Sequence, residues 1–315
     1  MGKTAFIFPG QGSQTVGMGK SLAEKIDSVH SFFQKADERL GYSLSNIIFE
    51  GPQETLTLTT NAQPALLTTS IAILQYFKES NIEADYVAGH SLGEYTALVA
   101  SGAISFEDGV YAVRKRGEFM EEAVPNGEGT MAAVLGLGRE ALQQVTDSVT
   151  EEGNPVQLAN INCPGQIVIS GSRKGVEIAS IKAKEAGAKR VLPLEVSGPF
   201  HSSLMKPASA KLQMVLDEIE IKKARIPVIA NVSASEMNEP NDIKEKLIQQ
   251  LYSPVQWEDS VKKMIELGVD TFVEIGPGKV LSGLVKKIDR GVKTYSISDE
   301  ETLQSVLEAL KEGVQ

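Results

Sequence analysis

The chain has 315 residues, 42% hydrophobic and 23% charged, enough to bury a large core and to build one big domain with a smaller one. A formal net charge of −10 argues against a nucleic-acid partner, whose phosphates call for a broad positive face. The single cysteine, Cys163, excludes an internal disulfide framework, and no apolar run suits a membrane span or a secretory leader, so a cytoplasmic location is expected; a monomer is a separate expectation.

In chain order, residues 5–8 form a short apolar strand and 18–38 carry helical periodicity. Residues 63–79 repeat apolar side chains at Leu66, Leu67, Ile71, Leu74 and Phe77, a helix spacing. A strand at 86–88 and a helix at 106–122 follow, then the turn-rich linker 124–129, Val-Pro-Asn-Gly-Glu-Gly. Beyond it, strand 131–137, helix 139–149, a hairpin of 156–161 with 166–170, helix 174–186 and strand 189–194 give the order β-α-β-β-α-β of a ferredoxin-like domain. Short buried strands resume at 227–231 and 271–275, and 301–310 is an amphipathic helix expected to cap the core. The reading is an α/β protein: a hydrolase-like, parallel-sheet large domain (1–127 and 198–315) with an inserted ferredoxin-like small domain (128–197).

The chemistry centres on Gly89-His90-Ser91-Leu92-Gly93, a G-x-S-x-G between strand and helix. This is the nucleophile-elbow pattern: the glycines relieve crowding at the bend, the serine hydroxyl is exposed, and the helix N-terminus favours developing negative charge. The competing reading is a tight turn in which Ser91 only caps the helix. A nucleophilic serine needs a base, and there are three histidines. His30 lies in a charged surface pattern. His90 shares the turn with Ser91, points away from it, and could line the pocket. His201 sits in the loop Gly198-Pro199-Phe200-His201-Ser202, where a scaffold presents reactive groups, and is the base by elimination, unless it merely closes the loop. The oxyanion donors are the N–H groups of Leu92 and of Gln11, from the loop Pro9–Gln14 after the first strand. That loop imitates a phosphate-binding one through Gly19-Lys20-Ser21, but Gln14 stands where the first glycine is required. Arg114, Lys115 and Arg116 read individually as a solvated basic face, and Cys163 as a structural turn cysteine.

Together the motifs closely resemble the malonyl-CoA:acyl carrier protein transacylases of dissociated fatty acid synthesis. The resemblance spans essentially the whole chain. It is carried by residues 8–14 (FPGQGSQ), 89–95 (GHSLGEY), Arg116, Asn160-x-Asn162, 198–202 (GPFHS), 251–257 (LYSPVQW) and 274–278 (EIGPG). It implies a malonyl-serine intermediate on Ser91, with His201 as base and Gln11 and Leu92 as oxyanion donors. Arg116 would bind the malonyl carboxylate, and the Gln250 main-chain carbonyl would orient His201. His90, Asn160, Asn162 and Phe200 would line the pocket, Phe200 leaving little room for an α-methyl branch. No metal and no permanently bound cofactor are implied. Malonyl-CoA is the substrate, acyl carrier protein the partner supplying the phosphopantetheine arm. Because that carrier is acidic and so is this chain, local basic patches are needed: Lys182, Lys184, Lys189 and Arg190, or Lys286, Lys287 and Arg290. A thioesterase with the same serine site and a noncatalytic carrier-binding module are the alternatives.

Overall fold

The computed structural model describes every residue except Met1, Asn81, Asn126, Ser197 and 313–315. Two positions of the expected domain boundaries, Asn126 in the linker and Ser197 at the end of the insert, lie outside the described residues.

Among the described residues, ten strands form two sheets. The larger has six strands in the order β10-β9-β1-β2-β7-β8, built from β1 (Lys3–Phe8), β2 (Tyr86–Gly89), β7 (Val228–Ile229), β8 (Glu236–Met237), β9 (Val269–Ile275) and β10 (Lys293–Ile297). All of its pairings are parallel except that of β7 with β8, so the sheet is mixed rather than parallel throughout. The reason is local: Ala230 N–H bonds the Ser235 carbonyl across a tight turn, and strands joined so closely can only run antiparallel. The smaller sheet is fully antiparallel, in the order β4-β5-β3-β6, from β3 (Gly129–Leu135), β4 (Val156–Cys163), β5 (Gln166–Ser172) and β6 (Arg190–Pro193). Helices Arg139–Glu151 and Arg173–Glu185 complete the β-α-β-β-α-β unit.

The insert is fastened to the larger domain beside the site. Val255 N–H bonds the Ala159 carbonyl at 2.8 Å, and Ile161 N–H returns to Val255 at 2.9 Å, which adds residue 255 to β4 as an isolated bridge. Segment 251–257 therefore ties both domains together.

Two helical expectations shift. The periodicity over 18–38 becomes two helices, Lys20–Lys25 and Asp27–Leu40, because Ile26 is extended (φ −130°) and serves both ends. The helix expected at 63–79 starts earlier, at Thr59, and runs to Phe77 with Pro64 inside it. Proline cannot donate to the carbonyl four residues back. Arg114, from helix Phe106–Glu122, supplies the missing donor: its Nη1 bonds the Thr60 carbonyl at 2.9 Å, and also Asn61 Oδ1 and Tyr42 Oη. Arg114 thus stitches two core helices together. The tail helix Glu300–Glu312 does cap the core, burying Leu303 and Val306. Glu274, at the end of β9, accepts from the N–H groups of Leu281 and Ser282 and so caps helix Val280–Ile288.

Arg114→Met keeps the bulk of the side chain and removes its donors. Charged hydrogen bonds contribute about 1.5–3 kcal/mol each, so the variant should unfold at clearly lower denaturant than the parent. An unchanged midpoint in a urea titration would show that the Thr60 carbonyl is satisfied without it.

Candidate active site

β2 delivers the chain into the turn at 89–93, at the carboxyl end of the sheet, where open α/β folds gather their chemistry. The two glycines are there for close approach. A Cβ at Gly89 would fall 1.9 Å from the Gly93 carbonyl group, and one at Gly93 would fall 2.2 Å from the Phe8 carbonyl oxygen. Pressed this tightly against β1, the chain turns with Ser91 at φ 52°, a conformation a non-glycine residue adopts only under constraint. Helix Leu92–Ala100 begins immediately after, yet the Ser91 side chain makes no capping bond to it. The capping reading of Ser91 therefore fails.

Ser91 Oγ lies 2.7 Å from His201 Nε2. His201 Nδ1 lies 2.8 Å from the Gln250 main-chain carbonyl, which can only accept, so the proton is on Nδ1 and Nε2 is free to accept from the serine hydroxyl. His201 also has positive φ, 57°, and is pinned by its neighbours. Its N–H bonds the Leu251 carbonyl, and its own carbonyl accepts from Gln157 Nε2, on β4 of the small sheet. The insert thereby helps to position the histidine. Burial, joined by the nearby Arg116 charge, pushes the His201 pKa down to about 3, against the pull of the Gln250 carbonyl. The imidazole is neutral at physiological pH.

Arg116 is not part of a solvated face. It is 1% exposed, and its guanidinium meets three neutral oxygens: Gln63 Oε1 at 2.8 Å, Gln250 Oε1 at 2.8 Å and Ser91 Oγ at 3.1 Å. Its Nε has no partner among the described residues, nor does any carboxylate there form a direct ion pair with it. Burial lowers its pKa from the ordinary value, but arginine stays charged.

The amide of Leu92 opens its helix, so it has no acceptor within that helix. Gln11 leaves the end of β1, its side chain bonded to Thr59 Oγ1. His90 diverges from Ser91 as expected: its Nε2 pairs with Asn162 Oδ1 at 2.8 Å, and its ring leans on Trp257. Asn160 Oδ1 is buried without a partner among the described residues. Phe200, 6% exposed, packs with the main core next to His201. Cys163 is buried among apolar side chains, which raises its thiol pKa and removes it as a thiolate.

Three residues of the centre, and the side chain of a fourth, escape a reading of motifs. Asn231, just beyond β7, accepts from Ser91 N–H at 2.8 Å through Oδ1 and donates to the Gly89 carbonyl at 2.7 Å, clamping the elbow from both sides. Glu94 accepts from Asn231 N–H at 2.7 Å, and its other oxygen from Gln250 Nε2. Gln63 holds Arg116, and the Gln250 side chain acts alongside its carbonyl. Only Glu94, inside the elbow motif, carried a signal: an acid in the first turn of an otherwise apolar helix.

The acyl transferase domain model matches residues 5–306. A malonyl CoA-acyl carrier protein transacylase of Bacillus subtilis is 67% identical over 312 residues, covering 99% of this chain and 98% of its own length. The chain belongs to that family of transacylases. The crystal structure of an acyl carrier protein S-malonyltransferase from Vibrio cholerae superimposes with a TM-score of 0.94 at 45% identity, covering 96% of this chain and 99% of its own. A malonyl-transacylase solved with a type II PKS acyl-carrier protein gives 0.95 at 42% identity, covering 98% and 99%. Among the described residues of this transacylase, no helix is long and apolar enough to cross a membrane, and no cluster of His, Cys, Asp and Glu is suited to a metal.

The depressed His201 pKa has a sign that can be checked. Between the ordinary imidazole value near 6.5 and about 3, the folded state binds fewer protons than the unfolded chain, so stability is full above pH 6.5 and falls as pH drops toward 3. The His201 ring resonance should show no titration from pH 8 to pH 5 by NMR. A step near pH 6.5, absent from a His201→Ala spectrum, would refute the burial argument.

Proposed function

We propose that this transacylase moves the malonyl group of malonyl-CoA to the pantetheine thiol of acyl carrier protein through an ester on Ser91. The single observation behind this reading is that one oxygen, Ser91 Oγ, touches both a neutral imidazole and a buried guanidinium. The malonyl carboxylate is one methylene from the reacting carbonyl, so a cation next to the nucleophile is where a site for malonyl must have one.

His201 Nε2 takes the hydroxyl proton as Ser91 Oγ attacks the thioester carbonyl. The oxyanion that forms is held by the Gln11 and Leu92 N–H groups, donors that need no reorganisation during reaction. Collapse breaks the C–S bond, and the proton on His201 passes to the departing CoA sulfur. The pantetheine thiol then enters, gives its proton to His201 and attacks the malonyl-serine ester; the same proton returns to Ser91 as it leaves. The Gln250 carbonyl orients the imidazole throughout without adding a charge. Arg116 opposes imidazolium formation when alone. A malonyl carboxylate paired with it offsets that repulsion, so the correct substrate also eases the proton transfer.

For the carrier, the patch of Lys286, Lys287 and Arg290 is the better docking surface. These residues line a hollow with Pro164, at the hairpin beside the site, and all three are exposed. In the other patch Lys182 is already paired with Glu152 at 2.6 Å. That leaves Lys184, Lys189 and Arg190 free of ion pairs among the described residues, three cations as on the other face, so it is the hollow at Pro164 that favours Lys286, Lys287 and Arg290.

Ser91→Ala should form no malonyl adduct with malonyl-CoA, and a stoichiometric adduct by intact mass would sink the nucleophile assignment. Arg116→Ala should lose malonyl transfer by roughly 10²-fold in kcat/KM, as expected for a lost charge-assisted pair, while reaction with acetyl-CoA holds or rises. An equal proportional loss on both thioesters would make Arg116 structural. Little free malonate in the same assay separates transfer from thioester hydrolysis.

A further inference from the structure

Glu94 is 0% exposed, at the centre of the molecule, and the reaction steps do not use it. Its carboxyl is pushed up to about 7 by burial, opposed by the hydrogen bonds from Asn231 and Gln250 and by the Arg116 charge. A buried acid with donors aimed at both oxygens is an acceptor by construction.

That fact fixes the Gln250 amide. Gln250 Nε2 faces Glu94 and also donates to the Ser91 carbonyl at 2.9 Å, so Oε1 is left to face Arg116 Nη2 at 2.8 Å. The amide has only these two orientations, and the reverse one would set an NH₂ group against a guanidinium that has nothing but donors. Arg116 and Glu94 are therefore linked through one amide. A direct pair would neutralise the guanidinium, whereas the intervening amide holds it in place and leaves its charge for an incoming anion.

We infer that Glu94 is a positioning residue for malonyl selection: by fixing the Gln250 side-chain amide, it holds Arg116 in place for the substrate carboxylate. This rests on the reading of Arg116 as the carboxylate-binding residue.

Glu94→Gln tests it. The Asn231 backbone N–H cannot turn, so the new amide must give it its oxygen and present NH₂ to Gln250. Gln250 must then reverse and turn its own NH₂ toward Arg116. In parallel kinetics the ratio of kcat/KM for malonyl-CoA to that for acetyl-CoA should fall roughly tenfold or more, with the loss on malonyl-CoA mainly in KM, as for a misplaced charge-assisted pair. A merely structural role for Glu94 would lower both substrates alike, and an unchanged ratio overturns the proposal. Arg116→Ala is run beside it. If that variant loses the ratio and Glu94→Gln keeps it, Glu94 is not the positioning residue although the Arg116 reading stands; if Arg116→Ala keeps the ratio, both fall. Should Glu94→Gln not fold, Gln250→Met removes the same bridge while retaining the main-chain carbonyl for His201. Its ratio should fall likewise, and an unchanged ratio overturns the proposal.

Discussion

A positive charge buried without a direct counter-ion among the described residues is the constraint around which this site is arranged. Stripping a guanidinium of water costs several kcal/mol, and the cost is bearable only with hydrogen-bonding partners in place. Gln63 and Gln250 provide neutral acceptors from two different helices, and Glu94 stands one amide further away. The arrangement keeps the field of Arg116 alive at Ser91 Oγ and at His201. It sets a donor on the hydroxyl and adds to the burial that keeps the imidazole neutral, and it is the basis for the proposed fit to an acyl group bearing its own carboxylate.

The fold serves that arrangement through backbone contacts. Gly89 and Gly93 let β2 and its helix press against β1, which forces Ser91 into positive φ, and Asn231 ties the strained turn to the strand on its other side. The histidine comes from another segment, on a loop held by the Leu251 and Gln157 contacts. Ser91 and His201 thus rest on separate supports that meet across one 2.7 Å hydrogen bond. The small domain is part of this geometry, since Gln157 and the Ala159–Ile161 stretch of β4 secure both His201 and the segment after Gln250.

Side chains that act as one unit here are distant in the chain. Ser91 and Gln250 are separated by 159 positions, Arg116 and Gln250 by 134. Effects of substitution at Glu94, Arg116, Gln250 and Asn231 should accordingly be non-additive, because each removes a partner of the next.

What the sequence by itself determined follows local rules. The elbow is legible because strand, glycine spacing and helix are adjacent; the ferredoxin-like order is legible because each hairpin and helix carries its own period and turn residues. The family resemblance named Ser91, His201, Arg116 and the Gln250 carbonyl, which the structure brings to one point. Long-range neighbours decided the rest. Arg114 and Arg116 sit two residues apart in one helix, and no local pattern distinguishes the one that mends a proline gap from the one that faces Ser91. The antiparallel edge at β8 depends on a tight turn closed by its own backbone bonds, and the Asn231–Glu94–Gln250 chain on three separate segments meeting in the buried interior. Hydrogen bonds between such segments leave no periodicity in the sequence, so only the tertiary structure could assign them.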